Sequence, residues 1–258
     1  MYTLGIDVGS SSSKAVILED GKKIVRHHVV EIGTGSSGPD KVLKAVFENA
    51  PFTIDDMANV IATGYGRFNV KEAKSEVSEI TCHAKGARFE VPDTTTILDI
   101  GGQDVKAIKL NPQGIVMQFA MNDKCAAGTG RFLDVMSRVL EIPISKMGDW
   151  YFKSKHPAEV SSTCTVFAET EVISLLSKNV PKEDIVAGVH KSIASKACAL
   201  VHRVGVGESL TMTGGGARDA GVVDAVSKEL GIPVKVAEHP QVVGALGAAL
   251  IAYEKINK

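Results

Sequence analysis

The sequence lacks the features that mark nucleic-acid-binding, exported and membrane-spanning proteins. The formal net charge is −1 and no stretch is rich in lysine and arginine, which argues against nucleic acid as the main partner because a phosphate backbone requires a basic face. The longest apolar stretch, VVGALGAALIA at 242–252, is too short and too rich in glycine to span a bilayer. The first ten residues, MYTLGIDVGS, show no charged leader before an apolar segment. We therefore expect no signal peptide and a cytoplasmic protein.

Cysteine is scarce, and the chain has four: Cys82, Cys125, Cys164 and Cys198. In a cytoplasmic protein these do not indicate a disulfide framework, which leaves metal binding, catalysis or simple burial. No C-x-x-C pair occurs, so no segment completes a metal site by itself. Cys198 lies among apolar residues of a helical pattern, and we expect both Cys82 and Cys198 to be buried.

The chain also lacks a Walker-A pattern, G-x-x-x-x-G-K-[ST], so the P-loop class is not supported. It contains an internal repeat instead: GIDVGSSSSKAVIL at 5–18 and ILDIGGQDVKAIKL at 97–110. Placing Asp7 over Asp99 also aligns a glycine, a lysine, an alanine and a leucine in one register. Each copy reads as strand, tight glycine turn, strand, turn and strand. This indicates the duplication of a three-stranded unit.

The segments after each copy show helical periodicity, interrupted by short strands. Hairpin strands followed by helices in two copies predict an α/β fold of two similar lobes. We expect the first lobe to span 1–94 and the second lobe to span 95–243, with the cysteines Cys125 and Cys164 in the second. A C-terminal helix over 244–258 is expected to return to the first lobe.

Three glycine-rich loops carry residues suited to phosphate and magnesium. Two of them follow Asp7 and Asp99, and the third, MTGGGARD at 212–219, ends a strand and opens a helix. Glycines let backbone N–H groups approach phosphate oxygens, serine hydroxyls add donors, and a helix N-terminus favours an anion. Carboxylates are ligands that Mg²⁺ and its waters prefer. The three loops together predict nucleotide binding.

Duplicated Asp-x-Gly hairpins with a later TGGG loop resemble the acetate and sugar kinase, Hsp70 and actin superfamily, which has a ribonuclease H-like fold. The resemblance implies ATP binding in a cleft between two lobes, with hydrolysis coupled to lobe rotation.

Two cysteines each stand before a predicted helix. Cys125 precedes Gly128, near which one helix is expected to begin, and Cys164 follows Thr163, a good N-cap candidate for the next helix. The positive end of a helix dipole favours thiolate at both positions. An iron–sulfur cube binds four thiolates, so a two-fold dimer that shares one cluster would use both pairs. On the residues alone, two free or buried cysteines are an equal alternative.

Four segments together are similar to one family. They are NDKCAAGTGRFLDVM at 122–136, SSTCTVFAETEV at 161–172, ATGYGR at 62–67 and DIGGQD at 99–104. The chain resembles, over nearly its whole length, the activator (component A) of 2-hydroxyacyl-CoA dehydratases, in the BadF/BadG/BcrA/BcrD ATPase family. The resemblance implies an oxygen-sensitive homodimer that holds one 4Fe–4S cluster between two helices and binds ATP in each subunit. ATP hydrolysis would change the angle between these helices and drive a low-potential electron into the dehydratase, with ferredoxin or flavodoxin as the donor.

The resemblance also implies roles for individual residues. Asp7 and Asp99 would hold Mg²⁺ and its waters, and Gln103 or Asp104 would orient the attacking water. The implied cluster ligands are Cys125 and Cys164. The implied cofactor-binding residues are Gly9, Ser10, Ser11, Ser12, Ser13, Lys14, Gly101, Gly102, Gly128, Thr129, Gly130, Gly214, Gly215, Gly216 and Gln241.

Two other functions stay open at this level. The same ATP-driven reductase could serve a double-cubane cluster protein or a benzoyl-CoA-reductase-type partner. A small-molecule kinase without a cluster, with Asp104 as the base, is the other. Arg67 in the ATGYGR segment could contact phosphate or bridge the lobes.

Overall fold

The computed structural model describes residues 1–35, 37–122, 127–161 and 164–257. The chain forms two compact units. Unit 1 comprises Met1–Thr94, Leu110–Val116 and Ala237–Lys258, and unit 2 comprises Thr95–Lys109 and Met117–Val236. Among the described residues, no helix combines the length and the apolar character needed to cross a membrane.

The ten strands of the described residues are β1 (Tyr2–Val8), β2 (Ser13–Glu19), β3 (Lys23–Val30), β4 (Met57–Thr63), β5 (Ser75–Glu76), β6 (Thr96–Ile100), β7 (Val105–Leu110), β8 (Val116–Asn122), β9 (Leu210–Thr213) and β10 (Val234–Val236). The α-helices are α1 (Gly38–Phe47), α2 (Glu79–Glu90), α3 (Gly130–Leu140), α4 (Met147–Tyr151), α5 (Thr165–Ser177), α6 (Lys182–Val204), α7 (Ala220–Leu230) and α8 (Val243–Glu254).

Unit 1 is built on a sheet with the strand order β3-β2-β1-β4-β5. The first three strands are antiparallel, whereas β1, β4 and β5 run parallel. Alternate residues of β1, Leu4, Ile6 and Val8, are buried in one core cluster with Val42 and Val46 of α1. This period of two follows from strand geometry, which sends successive side chains to opposite faces. The other face of β1 packs against α8.

Glycines let α8 lie directly on β1 and on α2. A Cβ atom on Gly5 of β1 would overlap the backbone of α8, and one on Gly247 would overlap the carbonyl of Cys82 in α2. A Cβ atom on Gly86 would likewise overlap the carbonyl of Val243. Since α8 is apolar and buried along nearly its whole length, it is an internal helix of unit 1.

Unit 2 has a sheet of the same topology, with the order β10-β9-β6-β7-β8. β6 pairs antiparallel with β7 and parallel with β9, and β9 runs parallel to β10. The long helix α6 packs against α3, α4, α5 and α7, and α3 also packs against α5. Phe132 and Met136 of α3 share one core cluster with Ala168 and Val172 of α5. The two helices that begin near the cysteine segments are therefore neighbours.

The structure confirms the duplicated hairpin unit. Asp7 lies opposite Lys14 in the β1–β2 ladder, and Asp99 lies opposite Lys106 in the β6–β7 ladder. The third strand of each repeat, β3 or β8, completes the hairpin at the sheet edge. The aligned sequence register is therefore also the structural register.

The repeat extends to the fourth strand of each sheet, which the sequence comparison did not reveal. Thr63 at the end of β4 lies beside the first-strand aspartate of unit 1, and Thr213 at the end of β9 lies beside that of unit 2. Gly64 and Gly214 follow with φ of +86° and +81°, a region that favours glycine. The ATGYGR segment is thus the counterpart in unit 1 of the MTGGGA segment in unit 2.

Candidate functional site

In unit 2, a buried lysine of β7 lies between two carboxylates, one on β6 and one in the β6–β7 loop. Lys106 Nζ lies 3.3 Å from Asp99 Oδ2 and 2.9 Å from Asp104 Oδ2. The side chains of Lys106 and Asp99 are 2% and 4% exposed, and that of Asp104 is 25% exposed. The Thr213 hydroxyl donates to Asp99 Oδ1 at 2.8 Å. Buried charges persist only when they are paired and hydrogen-bonded, so both carboxylates are held in place.

The tip of the same loop is closed by its backbone. The Gly101 amide donates to the Asp104 carbonyl at 2.9 Å, and a Cβ atom on Gly101 would overlap Asp104 Oδ1. Gly102 is half-buried, and Gln103 is exposed. Asp104 is paired with the buried lysine. Of the two candidates for orienting the attacking water, Gln103 is therefore the one whose side chain is open to solvent.

In unit 1, the equivalent aspartate has an oxygen that receives no hydrogen bond from the part of the chain that the structure describes. Lys14 Nζ lies 3.4 Å from Asp7 Oδ2, but Asp7 Oδ1 is buried and has no hydrogen-bond partner among the described residues. Thr63 donates its hydroxyl to the Val77 carbonyl at 2.9 Å, whereas the equivalent threonine of unit 2 donates to its aspartate. A buried carboxylate oxygen without a donor is unfavourable. A bound cation or its water would satisfy it.

The serine-rich turn of unit 1 follows Asp7 and is closed by the Gly9 amide, which donates to the Ser12 carbonyl at 3.0 Å. Residues 10–12 are half-buried. Ser13 is fully buried, and its hydroxyl donates to the Ile32 carbonyl at 2.8 Å. That hydroxyl therefore holds the end of the turn, while residues 10–12 stand in the more accessible part of the loop.

The third glycine loop leads from β9 into α7. A Cβ atom on Gly216 would lie 2.6 Å from Ile100 Cγ2, so this glycine packs on the end of β6, while Gly215 is exposed. Asp219 caps α7, and its Oδ1 accepts from two amides of the first turn at 2.8 and 3.2 Å. The loop is thus fixed at both ends, by the packing of Gly216 on β6 and by the Asp219 cap of α7.

The start of α3 is hydrogen-bonded to the β6–β7 loop. The Gly130 amide donates to the Gly101 carbonyl at 2.9 Å, and the Arg131 amide donates to the Gly102 carbonyl at 2.8 Å. Residues 127–129 are buried. The first amides of α3 therefore serve the hairpin loop, and any displacement of that loop acts directly on α3.

Cys164 is the N-cap residue of α5, with extended backbone angles (φ −151°, ψ 142°) and a half-buried side chain. Its carbonyl accepts the Ala168 amide at 3.0 Å. The thiol therefore lies at the positive end of the α5 dipole, which favours a negatively charged group. Cys125 lies outside the described residues, as does Thr163, the predicted N-cap; in the structure Cys164 takes that position.

The other two cysteines are buried, as predicted. Burial raises the pKa of the Cys82 thiol to about 12, and it does the same for Cys198. Cys82 is 0% exposed and Cys198 is 1% exposed. Both are enclosed by packed side chains and do not suit a cluster shared with a second chain.

Two large apolar side chains follow Cys164 in the first turn of α5. Val166 is 67% exposed and Phe167 is 64% exposed. Exposed apolar groups that adjoin each other are typical of surfaces that another protein covers.

Two further predicted residues lie in unit 1. Gln241 is half-buried in the segment before α8. Arg67 is half-buried, donates to the Gly64 carbonyl at 3.0 Å and lies over the Phe68 ring, 4.4 Å from its centre. Arg67 thus closes its own turn, a local role that the sequence did not reveal.

The structure adds two residues that the sequence analysis did not assign to the site, Thr213 and Thr63. Both stand one residue before a glycine of positive φ, and both hydroxyls are buried. The shared Thr-Gly-x-Gly spacing was the available signal, because it marks the same turn after the fourth strand of both sheets.

The duplicated sheet, with an aspartate–lysine pair in each hairpin and a glycine loop after each fourth strand, defines the two-lobed fold of the acetate and sugar kinase, Hsp70 and actin class. One solved structure that shares this fold is a ROK family glucokinase from Streptomyces griseus, with a TM-score of 0.62 over 98% of this chain and 100% of that one, at 11% identity.

The chain belongs to the BadF/BadG/BcrA/BcrD ATPase family, whose model matches residues 4–252. It is 57% identical to the activator of lactoyl-CoA dehydratase from Anaerotignum propionicum, over the whole length of both chains. The solved structure of the activator of the 2-hydroxyisocaproyl-CoA dehydratase from Clostridium difficile, with bound ADPNP, matches with a TM-score of 0.97 and 48% identity, over 100% of this chain and 96% of that one.

Proposed function

We propose that this ATPase activates a 2-hydroxyacyl-CoA dehydratase by passing it a low-potential electron at the cost of ATP. The electron would come from a 4Fe–4S cluster held by Cys125 and Cys164 of each of two copies of the chain. Full-length similarity to activators of two such dehydratases supports this function. Ferredoxin or flavodoxin is the proposed electron donor.

The observation that carries the proposal is the hydrogen bonding between the β6–β7 loop and α3. The carbonyls of Gly101 and Gly102 accept the first amides of α3, and α3 packs on α5, which Cys164 caps. A phosphate or metal ion bound at the loop would therefore act on both helices that begin near the cysteine segments. Such a link is what an ATP-driven electron carrier would use to bring the nucleotide state to its cluster helices.

The described cysteines support a cluster at this end of unit 2. Cys164 is half-buried at a helix N-terminus, where the dipole favours an anionic cluster. Cys82 and Cys198 are unsuited because both are enclosed in the protein core. When bound, the cluster supplies a one-electron reductant. The protein's part is to hold the thiolates and to control their surroundings.

Nucleotide would be held by the glycine loops, as the family resemblance implies. We assign the phosphates to Gly9, the serines 10–13 and Lys14, together with the β6–β7 loop, and the nucleoside to Gly214, Gly215 and Gly216. We also assign Gln241 to the nucleotide site. Gly128, Thr129 and Gly130 act indirectly, because the amide that opens α3 is already bonded to the hairpin loop.

Hydrolysis would use the carboxylates of the two hairpins. Asp7, with an oxygen that has no hydrogen bond among the described residues, and Asp99 would bind Mg²⁺ through its waters. Asp104 Oδ2 lies 2.9 Å from Lys106 Nζ. In this proposal Asp104 holds the β6–β7 loop in place and does not activate the water. Gln103, exposed at the loop tip, would orient the attacking water.

The energetic demand is moderate. A tenfold change in a one-electron equilibrium corresponds to about 59 mV, so a shift of a few hundred mV requires several kcal/mol. Conformational work from nucleotide binding and hydrolysis is of this order. Two thiolates per chain cannot complete a four-thiolate site, so a homodimer is proposed. The exposed Val166 and Phe167 beside Cys164 support a protein–protein interface at this position.

Anaerobic purification with iron analysis tests the cluster assignment. We expect about two irons per chain, the share of a dimer that holds one 4Fe–4S cluster. Cys164→Ala and Cys125→Ala should each lose the iron, and Cys198→Ala, a matched control at a buried cysteine, should keep it. Full iron content in either ligand variant would overturn the assignment.

A further inference from the structure

The last turn of α2 contacts the segments through which the chain leaves and re-enters unit 1. The chain crosses between the units at four points, which are 94/95, 109/110, 116/117 and 236/237. Two charged side chains of α2, Arg88 and Glu90, reach the unit 1 side of these crossings. Neither belongs to the residues assigned above to nucleotide, metal or cluster.

Arg88 donates hydrogen bonds to backbone carbonyls beside the first three crossings: one at residue 94, and one in the segment 110–116, which lies between the second and third crossings. Its Nη1 donates to the Thr94 carbonyl at 3.2 Å, and its Nη2 donates to the Pro112 carbonyl at 3.0 Å. Pro112 lies in a tight turn, because Asn111 Oδ1 accepts two amides of that turn at 3.0 and 2.8 Å. One guanidinium, with its donors in a fixed plane, thus joins the exit at 94 to the short segment 110–116.

Glu90 holds the fourth crossing. Its side chain is 3% exposed, and it accepts from the His239 ring through Nδ1 at 2.8 Å and from the His239 backbone amide at 3.1 Å. The His27 ring packs edge-on against His239, with 5.1 Å between ring centres. His239 is therefore fixed through both backbone and side chain, two residues after the chain re-enters unit 1 at Ala237.

The same helix is connected to the proposed metal site of unit 1. α2 packs on α8 through backbone contacts at Gly86 and Gly247. Near the start of α8, a Cβ atom on Gly244 would lie only 3.0 Å from Asp7 Oδ2. Close contacts therefore run from Asp7 through α8 to α2, and the last turn of α2 is hydrogen-bonded to the segments that continue into unit 2.

We propose that Arg88 and Glu90 are positioning residues that couple the nucleotide state of unit 1 to the helices beginning near the cysteine segments of unit 2. This inference rests on the proposed function. In this role the two side chains transmit a displacement and contribute nothing to nucleotide affinity.

Hydrogen–deuterium exchange of the purified full-length protein tests the inference. The readout is the difference in amide exchange over α5 between the ADP-bound protein and the protein bound to ADPNP. Arg88→Met and Glu90→Gln should reduce that difference at least about fivefold, the lower end of typical allosteric coupling, with nucleotide Kd values within about threefold of wild type. Glu254→Ala is the matched control. It removes the ion pair between Glu254 of α8 and Lys85 of α2, which involves none of the segments that cross between the units.

The outcomes separate the two proposals. Full nucleotide-dependent exchange in both variants overturns the coupling role, as does a wild-type protein without any such difference. A large loss of nucleotide affinity in the variants also overturns it, since the residues would then belong to the binding structure. Glu90→Gln keeps the size of the side chain and decides the question if Arg88→Met does not fold. Iron content and electron delivery test the proposed function separately.

Discussion

Lys106 and Lys14 occupy equivalent positions in the two hairpins, but their surroundings differ. Lys106 is 2% exposed and lies within 3.3 Å of two carboxylates. Lys14 is 15% exposed and lies 3.4 Å from Asp7. Removing one partner of a buried ion pair leaves a charge without compensation, which is far more costly than losing a partly solvated pair. We therefore expect the two equivalent lysines to contribute unequally to the free energy of unfolding.

Substitution of these lysines measures that difference. Lys106→Met should lower the free energy of unfolding by about 3–5 kcal/mol, because two carboxylates lose their common cation. Lys14→Met, the matched control in the other repeat, should cost roughly 1–2 kcal/mol. Denaturant unfolding of both variants provides the measurement. Equal losses in the free energy of unfolding would show that the buried ion pairs of Lys106 stabilise the protein no more than the partly exposed pair of Lys14.

At this scale the sequence predicted the charged residues better than their hydroxyl partners. Asp7, Asp99 and the two lysines follow from one alignment of the repeats. The threonines could not be assigned, because the alignment ended before the fourth strand. Whether Thr213 donates to an aspartate or, like Thr63, to a carbonyl is decided by tertiary packing.

At the scale of elements, the contact between α2 and α8 depends on glycine. Gly247 has no room for a Cβ atom because the Cys82 carbonyl occupies that space, and Gly86 meets the carbonyl of Val243 in the same way. Close approach of two helix backbones leaves little freedom for either helix to slide. This fits the part that α2 plays in holding the segments between the units.

Gly247→Ala tests the close contact. The added methyl group forces the two helices apart, so we expect a loss of about 2–3 kcal/mol in the free energy of unfolding. Lys85→Ala serves as the control, since it lies on α2 but removes only an exposed ion pair with Glu254, worth less than about 1 kcal/mol. Thermal or denaturant unfolding would report both. A Gly247→Ala protein as stable as wild type would mean that the contact is looser than described.

The starts of two helices were predicted from glycine-rich segments, whereas no such signal marks α2. A helix was expected near Gly128 and another after the loop at 212–219, and α3 begins at Gly130 and α7 at Ala220. The buried positions of α2 are mostly small, Cys82, Ala84, Gly86 and Ala87 among them. Such a face produces little hydrophobic periodicity, although it permits the closest packing in unit 1.

At the scale of the whole molecule, the duplication explains both the fold and the difference between the units. The two sheets share one strand order, and the fold class follows from that repeat. Insertion of α3 to α6 between the third and fourth strands of unit 2 adds the helices that carry Cys164. The sequence could not predict how nucleotide acts on them, because that depends on hydrogen bonds such as those between Gly101 and Gly130.

The central claim is that nucleotide at the hairpin loops controls a cluster held by Cys125 and Cys164. The most direct measurement is electron paramagnetic resonance of the anaerobically reduced protein, recorded with ADP and with ATP, alongside its rate of ATP hydrolysis. We expect a cluster signal that changes between ADP and ATP in wild type and is absent in Cys164→Ala. Normal ATP hydrolysis with a cluster signal identical in both nucleotides, or with no cluster at all, would contradict it.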